Sequence, residues 1–263
     1  MNISYKKSIL QKLIPIINEA GEIVMHYFNN KKFDLSFKKD KSPVTIADKE
    51  ADKIITNNLK KVFSDIEVIS EENIYNHSSK PGNLFFLVDA IDGTKEFIKE
   101  ESAGNFTINI GLIENGCPIL GVILAPYFKK LYYGIEEVGA FCNSKRIFTR
   151  EVLNDEPLIL SGNSNFDKET TILYKKKGLK KKKLISSSLK FCYIASGDAD
   201  FYSRFGTTME WDTAAGHAIL LSAGGDILSI EGKKIKYGKS FFKNESFIAF
   251  GNKKNYENYF RDE

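Results

Sequence analysis

Leu84-Phe85-Phe86-Leu87-Val88-Asp89-Ala90-Ile91-Asp92-Gly93-Thr94-Lys95-Glu96-Phe97-Ile98 starts as an apolar run and then sets two aspartates just ahead of Gly-Thr. The run Leu84 to Val88 predicts a buried strand. Asp89 and Asp92 follow it on a predicted tight turn, and Gly93-Thr94 opens a short helix through Ile98. Carboxylates at such a place suit a hard cation, since Mg²⁺ takes carboxylates, carbonyls and waters at ~2.1 Å. The Ile91 carbonyl lies between the two acids. The N–H groups of a helix opening at Gly93 could hold a phosphate oxygen. Taken alone, the D-x-x-D pattern is also compatible with a turn and a capping aspartate.

Working outward, apolar residues from Ile9 to Phe28 recur at helical spacing, and so do those from Thr45 to Val62 beyond Ser42-Pro43. Glu67–Ser70 reads as a strand and is closed by Glu71-Glu72. Phe106–Ile113, Ile119–Ala125, Lys130–Ile135 and Gly139–Cys142 read as an antiparallel meander separated by Asn-Gly, Pro and Gly turns. After the polar connection from Glu151 to Pro157, strand-like runs (Leu158–Ser161, Lys183–Ser186, Ala199–Tyr202, Phe247–Gly251) alternate with helical ones, of which Trp211–Gly224 is the clearest. Two units are expected: an α+β unit over residues 1–153 with most of the acids, and an α/β unit over 154–263 that contributes Asp212.

Composition restricts the function classes. A chain of 263 residues with 42% hydrophobic and 27% charged residues is expected to pack a core, and 13% aromatic content argues against disorder. The net charge of +4 is concentrated in Lys175-Lys176-Lys177-Gly178-Leu179-Lys180-Lys181-Lys182-Lys183. That run reads first as a solvated face; a non-catalytic phosphate- or RNA-binding protein is the competing reading. Cys117, Cys142 and Cys192 show neither disulfide nor zinc spacing, and His26, His77 and His217 are not placed to share a metal. With no signal peptide and no run of ~20 apolar residues, a cytoplasmic protein is expected, with peripheral association at the cytoplasmic face of the inner membrane as the variant the lysine run would permit.

The acids form a set. Besides Asp89 and Asp92 there are Asp48 in Ser42-Pro43-Val44-Thr45-Ile46-Ala47-Asp48, Ser70-Glu71-Glu72, and Trp211-Asp212-Thr213-Ala214-Ala215-Gly216. Together with Gly121-Val122-Ile123, these segments resemble the inositol monophosphatase superfamily over nearly the whole chain. Gly93-Thr94-Lys95-Glu96-Phe97-Ile98, Ser187-Ser188-Leu189-Lys190-Phe191-Cys192 and Tyr202-Ser203-Arg204-Phe205-Gly206 resemble its 3'(2'),5'-bisphosphate nucleotidase branch.

The resemblance implies a layered α-β-α-β-α sandwich of the inositol monophosphatase / sugar phosphatase type. It implies a Mg²⁺-dependent phosphatase using two or three ions and inhibited by Li⁺. Its substrate would be a small phosphorylated nucleotide, adenosine 3',5'-bisphosphate, hydrolysed to AMP and phosphate in sulfur assimilation and nucleotide recycling, with the sulfated analogue PAPS as a further substrate. Inositol monophosphate, fructose 1,6-bisphosphate and NADP are the superfamily alternatives. By the same resemblance Glu71, Asp89 and the Ile91 carbonyl hold one ion, and Asp89, Asp92 and Asp212 the second. Thr94 backed by Asp48 activates water, with Glu71 assisting, and Glu72 supports Glu71 or belongs to a weaker ion site. Gly93, Thr94, Ser187, Ser188, Lys190, Arg204 and Asp212 contact substrate. Nucleic acid is not an expected partner, and the oligomer is a monomer or homodimer. The chain departs from the branch at Ser161-Gly162-Asn163-Ser164-Asn165, where many relatives have an arginine-bearing loop; this bears on nucleotide preference and not on the metal centre.

Overall fold

The computed structural model describes residues 1–37, 43–73, 80–99, 104–152, 156–162 and 168–260. Ser42, His77, residues 163–165 and the expected boundary at 153/154 lie outside them. Helix α1 spans Ile3–Asn30 and starts earlier than its apolar spacing predicts, because the Asn2 side chain accepts the Tyr5 N–H at 2.9 Å. β1 (Ser36–Phe37) pairs with β2 (Pro43–Val44) ahead of α2 (Ile46–Val62).

β3 (Glu67–Ser70), β4 (Leu84–Asp92), β5 (Thr107–Glu114), β6 (Cys117–Ala125), β7 (Lys130–Ile135), β8 (Gly139–Cys142) and β9 (Lys145–Ile147) lie side by side in chain order, with α3 (Thr94–Ile98) between β4 and β5. β3 runs parallel to β4, and every later neighbour is antiparallel. The meander predicted from the turn residues is present, with β9 as an addition.

The rest of the chain forms β10 (Ile159–Ser161), α4 (Lys168–Lys176), β11 (Lys182–Leu184), α5 (Leu189–Ala195), β12 (Phe201–Arg204), α6 (Glu210–Ala223), β13 (Asp226–Ser229), β14 (Phe247–Phe250) and α7 (Lys253–Phe260). Its five-stranded sheet has the order β11-β10-β12-β14-β13. The lysine run is divided between the end of α4, a turn and β11. As β11 is an edge strand, Lys182 and Lys183 mark an edge of the kind that lysine keeps from pairing with other chains.

Strand alternation builds the layers. Phe86 and Val88 join the core made with α1 and α2, whereas Phe85 and Leu87 join the core shared with α5 and α6. In the second sheet Leu160, Tyr202 and Ala249 face that same middle layer, and Ile159, Phe201 and Ile248 face Tyr174 of α4 and Tyr256 of α7. The sequence of layers is thus helices, sheet, helices, sheet, helices, as the fold class anticipated.

Helix α6 lies in a furrow of glycines. Gly111, Gly121 and Gly134 are cross-strand neighbours on β5, β6 and β7. A Cβ added at Gly121 would stand 2.2 Å from the Ala215 carbonyl oxygen, and one at Gly134 would stand 2.5 Å from the Ile219 Cα. Only the absence of side chains there lets the helix backbone come so close to the sheet.

Candidate metal centre and cleft

Asp89 and Asp92 are not on a turn: β4 continues through both. Its pairing with β5 shifts between Asp89↔Asn109 and Asp92↔Thr107, so the β4 segment is one residue longer than its partner. On a regular strand residues three apart point to opposite faces. The extra residue of the bulge reverses the alternation and brings both carboxylates to one side. Glu71 follows β3 directly, its N–H donating to the Val88 carbonyl at 3.1 Å. Asp212 sits in the first turn of α6, where its Oδ2 accepts the Met209 N–H at 2.8 Å.

One carboxylate oxygen each from Glu71, Asp89 and Asp212 lies within 4.8 Å of the other two. Desolvation holds the Asp212 carboxyl well above the usual aspartate range, and the charges of Asp92 and Glu71 push it further. A divalent cation between these oxygens would relieve that repulsion, and an all-oxygen donor set fits Mg²⁺. Asp92 lies beside this group. Burial raises its pKa too, against the pull of Lys190 and the hydrogen bond from Ser188.

Thr94 Oγ1 lies 3.1 Å from the Ile91 carbonyl oxygen and 3.3 Å from Asp48 Oδ1. Asp48 is fixed by its other oxygen, which accepts from the Thr45 N–H at 2.8 Å and the Thr45 hydroxyl at 2.5 Å. Gly93 has φ +94°, and a Cβ there would meet the Asn105 carbonyl at 3.0 Å. The left-handed turn this permits starts α3, where the Gly93 carbonyl accepts the Glu96 and Phe97 N–H groups.

Asp92 and Asp212 form one wall of a cleft of about 180 Å³ that Ser187, Ser188, Lys190 and Arg204 also line. Lys190 is buried, its Nζ 2.6 Å from the Ser187 carbonyl and 4.9 Å from the centre of the Tyr202 ring. Burial lowers its pKa to about 8 despite Asp92. Of the residues anticipated from sequence, Asp92, Ser187, Ser188, Lys190, Arg204 and Asp212 line this cleft, Glu71 and Asp89 meet Asp212, and Thr94 links Asp48 to the Ile91 carbonyl. Ser187 and Ser188 form a turn that leads into α5, whose Leu189 and Phe191 are drawn into the middle core.

Two buried polar residues at the site were missed. Asn109 interrupts the apolar run Ile108 to Ile110, which was a usable signal. Asp52 lies one helical turn beyond Asp48, hydrogen-bonded to Ser70, and its Oδ1 has no partner among the described residues. Burial, with Glu72 and Glu71 nearby, raises its pKa from 3.8 to about 6. Because the folded-state value is raised, the associated stability is complete below the unfolded pKa and is lost as pH rises through about 6. Asp52→Asn is expected to remove that pH step, leaving the metal-free protein more stable at pH 7 by on the order of 2–3 kcal/mol in urea unfolding.

Residues 6–262 match the inositol monophosphatase family. The chain belongs to that family. The matched span covers every member of the centre, from Asp48 to Asp212, together with Asn109 and Asp52. Among curated members, the chain is 39% identical to the 3'(2'),5'-bisphosphate nucleotidase CysQ of Buchnera aphidicola over 92% of its own length and 94% of the relative's. It is 38% identical to the protein of that name from Escherichia coli K12, over 87% and 94%. Among solved structures, CysQ from Bacteroides thetaiotaomicron superposes with TM-score 0.80 at 33% identity, covering 94% of this chain and 98% of that one. The Thermotoga maritima IMPase also reaches 0.80, at 28% identity and 95% of each chain. In this family member no helix among the described residues is long and apolar enough to cross a membrane.

Proposed function

We propose that this chain is a Mg²⁺-dependent 3'(2'),5'-bisphosphate nucleotidase that hydrolyses adenosine 3',5'-bisphosphate to AMP and phosphate. The observation that carries the reading is the meeting of Glu71, Asp89 and Asp212 beside a cleft that also holds the buried Lys190 and Arg204. Carboxylates to hold cations, and cations to hold phosphate, then stand on adjoining walls. Relatives named as 3'(2'),5'-bisphosphate nucleotidases support the nucleotide as substrate.

Glu71, Asp89, the Ile91 carbonyl, Asp92 and Asp212 would hold the ions. When bound, Mg²⁺ acidifies the attacking water and neutralises charge on the leaving oxygen. Thr94 orients that water through its hydroxyl, and Asp48 Oδ1, 3.3 Å away, is placed to take the proton that Thr94 passes on. Threonine is too weak a base to act without that carboxylate. Lys190, with a pKa of about 8, retains most of its charge at neutral pH and offers it to a substrate phosphate. Arg204 presents a fork suited to a second phosphate.

Phosphate release from adenosine 3',5'-bisphosphate, PAPS, inositol monophosphate, fructose 1,6-bisphosphate and NADP, with Mg²⁺ and with Li⁺ as competitor, tests the assignment. The adenosine bisphosphate is expected to give the highest kcat/KM, and Li⁺ to suppress its turnover. Faster hydrolysis of inositol monophosphate would refute the nucleotide reading.

A further inference from the structure

The hydroxyl of Ser188 occupies a junction of four elements. It lies 2.7 Å from Asp92 Oδ2 on β4 and 2.9 Å from the Asp212 carbonyl oxygen on α6. It precedes α5, and it accepts from Asn109 Nδ2 on β5 at 3.0 Å. Its single proton serves Asp92 at the shorter distance, with the Asp212 carbonyl as the alternative acceptor. Asn109 Nδ2 also reaches Asp92 Oδ2 at 3.4 Å. Asn109 and Ser188 are each 1% exposed, so water does not compete for these bonds.

The turn held by Ser188 also determines where the buried lysine sits. Ser187 has φ +55°, a conformation that costs a serine free energy and persists only where its surroundings enforce it. Its carbonyl accepts from Lys190 Nζ at 2.6 Å.

We propose that Asn109 and Ser188 are positioning residues that couple the cation centre to the substrate cleft. Asn109 orients the Ser188 hydroxyl, Ser188 aims Asp92, and the same bond seats the turn that places Lys190. Ser188 is on this account a brace between the two walls. The inference rests on the reading of Asp92 as a cation ligand. Partners that orient ligating carboxylates are worth about 10–100-fold in metal affinity. A shared brace also makes occupation of either side favour the other.

The test is calorimetric titration of Mg²⁺ into the wild type, Asn109→Ala, Ser188→Ala, the double variant and Ser188→Thr, without nucleotide. AMP, which lacks the 3'-phosphate, is then titrated with and without Mg²⁺, and thermal unfolding is used to confirm that each variant folds. Mg²⁺ affinity is expected to fall by about 10–100-fold in either alanine variant, to fall no further in the double variant, and to return in Ser188→Thr. Mg²⁺ is expected to strengthen AMP binding in the wild type and not in Ser188→Ala. Unchanged Mg²⁺ affinity in both folded single variants would overturn the proposal, as would Mg²⁺-strengthened AMP binding that persists in Ser188→Ala. A wild type that binds Mg²⁺ but turns over no adenosine bisphosphate would sink the substrate assignment instead, leaving the metal titrations to judge the brace.

Discussion

Asp212→Asn is expected to lower phosphate release by on the order of 10³-fold while making the metal-free protein more stable. The loss follows from removing a charged carboxylate that is proposed to hold a cation: cation stabilisation of phosphoryl transfer amounts to several kcal/mol, at about 1.4 kcal/mol per tenfold in rate. The gain in stability follows from the raised pKa of Asp212, which desolvation and its acidic neighbours cause. A group with a raised folded-state pKa adds stability in its protonated form and loses that contribution once pH passes the folded value. Asparagine has no charge to desolvate, and its side-chain oxygen can still accept the Met209 N–H that Asp212 accepts at 2.8 Å. Steady-state kinetics with thermal unfolding, each with and without Mg²⁺, checks both halves. The wild type should gain stability from Mg²⁺ and the variant much less. Retention of more than about a tenth of wild-type turnover would rule Asp212 out as a ligand.

Gly121→Ala is expected to destabilise the fold by about 3 kcal/mol or more, a large effect for one methyl group. The added carbon would stand 2.2 Å from the Ala215 carbonyl oxygen and 2.9 Å from its Cα, both backbone atoms of α6 that no rotamer change can move. The helix would have to lift from the sheet, taking Asp212 away from Glu71 and Asp89. Activity should therefore fall even in preparations that remain folded. Gly82→Ala is the control, as a Cβ there meets nothing within 4 Å. Urea unfolding of the two variants should separate them clearly, and equal stability would mean that α6 does not depend on the furrow.

The acids of the centre were legible because each stands directly after an apolar run or in the first turn of a helix that its own neighbours define. Leu84 to Val88 is an apolar run that must be buried, with Asp89 directly after it, and the alanine-rich spacing after Trp211 marks Asp212 as a first-turn residue. The bulge in β4 was not legible, since it exists only relative to β5. The brace was hidden for a related reason: Asn109 and Ser188 are 79 residues apart, and no local periodicity connects them. β13 and α7 were overlooked because Asp226–Ser229 is short and Lys253–Phe260 is largely polar, with buried contact mainly through Asn255 and Tyr256. The furrow glycines read singly as weak points in strands, and only the register of β5, β6 and β7 turns them into a seat.

That seat divides the molecule into what can vary and what cannot. A carboxylate carried by a helix sunk into a sheet shares the sheet's rigidity, so Asp212 has little freedom to follow changes in the shape of a substrate. Adaptation is left to the residues just ahead of it, Arg204 to Met209. Substrate preference can then diverge at the rim while the reacting centre keeps its geometry. The equal structural similarity of this chain to a CysQ and to an IMPase is what such an arrangement would leave behind.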